Sequence, residues 1–192
     1  MTRGWSIAAA SLSRFVDTER AAAAVEFALI LPVMLILYLG SIEATSLYTI
    51  DRRVTTISST MGDLVSQADD VITQAKINDY FEAAEGILIP YPTANLRQVV
   101  SLIRVRNNGS TQVIWSRTAG GTARTAGASY PLPADSQMNR IARDTGYLVA
   151  AEAYYTYTPV FESVIPGPVN LYRESFYLPR FGACIELQNT CP

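Results

Sequence analysis

Residues 21–48 read AAAAVEFALILPVMLILYLGSIEATSLY, and the fold turns on whether this stretch crosses a membrane. From Phe27 to Ile42 it carries no charge, and only Gly40 and Ser41 interrupt its apolar character near the far end. As a helix rising about 1.5 Å per residue, residues 21–42 would be roughly 33 Å long, enough for a hydrocarbon core of about 30 Å. A core helix in a soluble domain would show a polar face, and none is present here. A cleaved secretory signal would have a shorter apolar run and an A-x-A-like exit, whereas Ser41-Ile42-Glu43 follows here. A retained transmembrane helix over residues 21–48 is the expectation.

Two residues in the span need a reason. Glu26 lies in its first turns, where a carboxylate opposes insertion by about 2.5–3.5 kcal/mol at the bilayer centre and by less near an interface. It either snorkels to the interface beside Arg20 or meets a positive partner in the membrane. Pro32 removes a backbone donor mid-helix, which membrane helices accept, usually as a kink.

The 192 residues, 49% of them hydrophobic, allow one membrane helix and one ordinary domain. A net charge of −2 and scattered arginines give no field for nucleic acid. There is no histidine, which removes Ser-His and Cys-His catalysis and the commonest zinc ligand. No nucleophile–base pair or cofactor motif is visible, so neither an enzyme nor a cofactor is expected. The loop AGGTARTAGAS lacks the Gly-Lys-Ser/Thr ending of a phosphate-binding loop and reads as flexible linker.

Residues 1–20 form a short segment with Arg3, Arg14 and Arg20 against Asp17 and Glu19, expected on the cytoplasmic side. Residues 49–192 would form the domain outside. Cys184 and Cys191 are the only cysteines and enclose IELQNT near the C-terminus. A disulfide there fits an oxidising compartment, two free thiols being the alternative, and a metal site is not expected.

Past the span, Leu47, Ile50, Val54, Ile57, Met61, Leu64, Ala68, Val71 and Ala75 recur at spacings of three and four. This heptad-like seam suggests one helix running on to about residue 75. It would serve a coiled coil or pack on a sheet of the same chain. The sheet is favoured, because strands follow that need covering. A short helix INDYFEAAEGIL comes next, then LRQVVSLIRVRN and STQVIWSRT, joined by Asn108-Gly109 as a two-residue type I′ hairpin. Asn108-Gly109-Ser110 also spells a glycosylation sequon, but the turn alone accounts for it. The helix ADSQMNRIARDTG precedes a third strand with Val149, Ala151, Ala153, Tyr155 and Tyr157 on one face, and LYRESFYLPR is the fourth. The expected class is α+β: a long N-terminal helix, half in membrane, laid on a small, mostly antiparallel four-stranded sheet.

The stretch ERAAAAVEFALILPVMLILYLGSIEA (residues 19–44) resembles the N-terminal signature of the TadE/TadG-like family, minor pilins or pseudopilins of tight-adherence (Tad/Flp) pili, a type IV pilus branch. The segment EAYYTYTPVF is similar to that family's tyrosine-rich strand ending in a Thr-Pro step. The resemblance implies a pilin-like fold and a single-pass protein of the bacterial inner membrane, N-terminus cytoplasmic and C-terminal domain periplasmic, with entry into an extracellular pilus open. It implies a prepilin peptidase cutting between Ala21 and Ala22, which makes Glu26 the fifth and Phe27 the sixth mature residue. Ala21 stands where the family normally has glycine. The amine of Ala22 would then neutralise Glu26 of a neighbouring subunit. The implied partners are other pilin or pseudopilin subunits and the inner-membrane assembly platform. The alternative is an uncleaved membrane scaffold of the envelope.

Overall fold

One helix, α1 (Glu19–Ser66), carries both the apolar span and the seam without a break. The computed structural model describes residues 19–162, 164–181 and 184–191, with side chains from residue 22 onward. The proposed leader therefore lies outside the described residues up to residue 18, and so does the side chain of Ala21. After α1 come α2 (Gln74–Glu85), a 3₁₀ turn (Gly86–Leu88), β1 (Leu96–Val105), β2 (Thr111–Ala119), α3 (Gln137–Thr145), β3 (Tyr147–Tyr157) and β4 (Val169–Tyr177). The strands form one antiparallel sheet in the order β2-β1-β3-β4. The class is α+β, as expected.

The chain divides into two compact units, Met1–Thr45 with Val160–Pro166, and Ser46–Pro159 with Gly167–Pro192. In the second unit, Leu47, Ile50, Val54, Ile57, Met61 and Val65 face the sheet. They take five steps over 18 residues, 3.6 per step, the period of a straight α-helix. A strict 3.5 seam would drift off this face. That drift is why Val65 is fully buried and Leu64 only half-buried.

The helix ends at Ser66, nine residues before the expected position near residue 75. Asp70 adopts a φ of 58°, a left-handed conformation that Asp tolerates and a helix cannot continue through. The chain then forms a parallel bridge between Val71 and Glu186, and the Arg180 amide caps the Ser66 carbonyl at 3.0 Å. Val71 is therefore exposed rather than in the seam, as is Ala75, and Ile72 and Ile77 take the core positions.

The first face of the sheet packs α1, α2 and the C-terminal tail around Leu96, Val100, Leu102 and Trp115, with Val149, Ala151, Ala153, Tyr155 and Tyr157 of β3. Trp115 donates its indole N–H to the Ile185 carbonyl at 2.8 Å, and Cys184 is bonded to Cys191 in that tail. The second face is also covered. Tyr130, Leu132, Met138 and Ala142 pack on Ile103, Val105, Leu148 and Ala150. The unit thus has three layers, which explains the near-continuous burial along β1 and β3.

Two local expectations change. The β1–β2 turn is not a two-residue type I′ turn: Asn108 does not take positive φ. Gly109 alone does, at 81°, its amide donating to the Arg106 carbonyl at 2.8 Å while the Arg106 amide donates to that of Ser110. This is a three-residue loop with glycine in the left-handed position. The AGGTARTAGAS segment is not a free linker either. The Val113 amide donates to the Ala128 carbonyl and the Gly127 amide to the Val113 carbonyl, each at 2.8 Å, so the segment covers the outer edge of β2.

Candidate functional site

The first unit holds the apolar half of α1. Every side chain from Ala22 to Tyr38 is exposed, including Phe27, Leu31, Leu35 and Leu37 around the helix. Mean hydropathy reaches 2.3, and the helix is long and apolar enough to cross a membrane. The polar side chains at its far end are satisfied by their own backbone, as an apolar medium requires: Ser41 Oγ donates to the Tyr38 carbonyl at 2.7 Å, and Thr45 Oγ1 to that of Ser41 at 2.8 Å. Pro32 sits inside this stretch, and the helix is unbroken on either side of it. Glu26 and Phe27 lie adjacent and exposed, and no described residue bonds to the Glu26 carboxylate. Ala22 begins the described surface.

The same unit contains a carboxylate that sequence reasoning passed over. Glu43 is 1% exposed, and its Oε1 accepts the Phe161 amide at 2.7 Å. A glutamate placed directly after a long apolar run is the signal that could have found it.

The second unit carries a polar cluster on the second face of the sheet. Glu152 of β3 is directly opposite Glu174 of β4, an unfavourable like-charge pair. Glu152 is 2% exposed and is held by Arg124 in a two-pronged ion pair, one arm of which is Nε to Oε2 at 2.8 Å. The Tyr172 hydroxyl lies 2.9 Å from Glu152 Oε1 and 2.6 Å from Glu174 Oε2. It has one proton, so it bonds only one carboxylate at a time. Tyr154 donates to Glu152 at 3.3 Å, stacks on Tyr172 with ring centres 4.7 Å apart, and lies under the Arg97 guanidinium at 3.7 Å.

Burial pushes the Glu152 carboxyl up, but the hydrogen bonds and charge of Arg124, with Tyr172, outweigh it and hold the group below the ordinary carboxylate range. Hydrogen bonding to Glu152 pushes the Arg124 guanidinium up, and burial pushes the Tyr130, Tyr154 and Tyr172 phenols up. The tyrosines stay protonated donors and both Glu152 oxygens are engaged. Such a cluster fixes the Arg124 segment on the sheet.

A family model described as TadE-like protein matches residues 21–59, all within α1 and ending before the sheet begins. This is the stretch that carries the resemblance, and it suggests a protein associated with the Tad pilus. No curated protein and no solved structure matches the chain.

Proposed function

We propose that the chain is a minor pilin or pseudopilin of a Tad-type pilus, acting in its assembly, initiation or capping through subunit contacts rather than chemistry. The observation that carries this reading is α1 itself. Its first half offers an all-round apolar surface with Glu26 and Phe27 at the start, its second half is docked on a sheet, and the TadE-like match spans the join. In this reading residues 1–20 stay cytoplasmic, α1 crosses the inner membrane, and the sheet unit lies outside, where an oxidising compartment keeps Cys184 and Cys191 bonded.

Cleavage after Ala21 would place the Ala22 amine beside Glu26 of the next subunit, offsetting much of the cost of a carboxylate in lipid. A second reading, an uncleaved membrane scaffold of the assembly platform, is favoured by Ala21 standing where glycine is usual before such a cut. Intact mass of the membrane-extracted protein separates the two. A mature chain beginning at Ala22 supports the pilin, and a full-length mass supports the scaffold. Glu26→Gln should leave insertion intact or improved and abolish pilus assembly; normal pili from that variant would remove the assembly role of Glu26.

A further inference from the structure

We propose that the turn formed by residues 160–162 and 164–166 is a second membrane-contacting element, seated in the headgroup–acyl boundary of the lipid bilayer where α1 leaves it, with Glu43 as its positioning residue. The proposal rests on the reading that α1 spans a membrane.

Depth is the first argument. From Ala22 to Ile42 the helix rises about 30 Å, the thickness of the hydrocarbon core, so Glu43 falls at its far edge. The bond from the Phe161 amide to Glu43 holds the turn at that level. Val164 Cγ1 lies only 3.6 Å from where a Cβ on Gly40 would stand, and Gly40 is three residues, about 4.5 Å, further into the apolar span. The turn therefore reaches across the boundary. Leu39 and Gly40 are half-buried, whereas Ala22 to Tyr38 are exposed.

Chemistry is the second. The turn carries Val160, Phe161, Val164 and Ile165 between Pro159 and Pro166; Val160 is 78% exposed and the other three are half-buried. An apolar side chain that exposed, at the depth where a bilayer begins, is what interfacial insertion uses. The backbone is partly self-satisfied, the Val164 and Ile165 amides both donating to the Phe161 carbonyl at 2.9 and 3.3 Å. Glu162 is exposed and suits the headgroup side. With no basic residue in the turn, attraction to anionic lipid is not the cause, and a zwitterionic bilayer suffices. Continuity with the apolar surface of α1 selects lipid over a second copy of the chain. The turn also shields Glu43, which would otherwise face hydrocarbon directly after the span.

The test uses the full-length protein, one copy per phosphatidylcholine nanodisc, with Val160→Cys or Leu31→Cys labelled by an environment-sensitive fluorophore under non-reducing conditions. Lipids carry a spin-label quencher at a shallow or a deep acyl position. The label at position 160 should be blue-shifted and quenched more by the shallow lipid; the label at position 31 should show the reverse order. Adding Glu43→Ala should lose the shallow quenching at position 160, and Glu43→Gln, whose amide oxygen still accepts the Phe161 amide, should keep it. A water-like, unquenched label at position 160 beside a quenched one at position 31 overturns the proposal alone. A blue shift at position 160 without quenching by either lipid overturns it in favour of a protein surface. No quenching at position 31 overturns the membrane reading with it.

Discussion

The two halves of α1 solve opposite problems with one backbone. From Ala22 to Tyr38 apolar residues point in every direction and every side chain is exposed. From Leu47 to Val65 they keep to one stripe at 3.6-residue spacing, with Arg52, Thr55 and Thr56 exposed on the other side. Total hydrophobicity marks the first half and its angular distribution marks the second. Two carboxylates, one in each unit, differ as sharply. Glu26 has no bonding partner among the described residues, whereas Glu152, on the sheet that the second half packs against, has both oxygens engaged.

The largest expected effect comes from placing a charge in each half. Met61, 2% exposed, sits against the sheet. Met61→Asp should destabilise the sheet unit by on the order of 4 kcal/mol, the cost of burying an unpaired charge. Leu64→Asp, one turn on at a half-buried position, should cost much less. Leu35→Asp should leave thermal unfolding of the sheet unit unchanged and instead oppose membrane insertion by about 2.5–3.5 kcal/mol. Near-UV circular dichroism melting of the purified protein, beside its membrane partition in cells, reads both quantities. Equal melting losses at positions 35 and 61 would erase the distinction between the halves.

Arg124→Ala comes next and tests the satisfied carboxylate. Removing one partner of a nearly buried pair costs roughly 3 kcal/mol, because Glu152 is left charged on a covered face. The sign with pH follows from the lowered pKa of Glu152. Below the ordinary carboxylate value of about 4.3 the unfolded chain binds the proton first. The stabilisation is thus complete above that value and is lost as pH falls through the lower folded one. Without Arg124 the opposing effect of burial gains weight, so acid unfolding should begin at higher pH. Glu26→Gln should leave the same acid titration of the sheet unit unmoved. An Arg124→Ala protein with the parent's acid midpoint would show that the pair contributes nothing.

The apolar span, the four strands and the inward face of β3 were legible because each writes its own period into neighbouring residues. The end of α1 was not, because Val71 and Ala75, both exposed, continue the three-and-four spacing by coincidence. What stops the helix is a bridge to Glu186, over a hundred residues away. The covering of the second sheet face was hidden for a similar reason. Nothing local to Arg124 announces a partner, and the only available signal was Glu152, a lone carboxylate in the strand YLVAAEAYYTY that is apolar on both sides of it. The Glu43–Phe161 bond likewise joins residues far apart in sequence.

The smallest effect contrasts two glycines of the same helix. A Cβ at Gly62 would come within 2.5 and 2.8 Å of the Tyr177 ring, so the ring packs on α1 as closely as a glycine allows. A Cβ at Gly40 meets Val164 at an ordinary 3.6 Å. Helix propensity alone favours alanine over glycine by about 1 kcal/mol at either position. At Gly62 the overpacking cost of about 1–3 kcal/mol works against that gain. Gly62→Ala should therefore lower the melting temperature of the sheet unit by an amount equivalent to about 1 kcal/mol, and Gly40→Ala should leave it unchanged. If Gly62→Ala instead raised the melting temperature, the Tyr177 ring would be free to swing aside. The docked half of α1 would then be held by its apolar stripe alone, without the tight Gly62–Tyr177 contact that sets it apart from the membrane half.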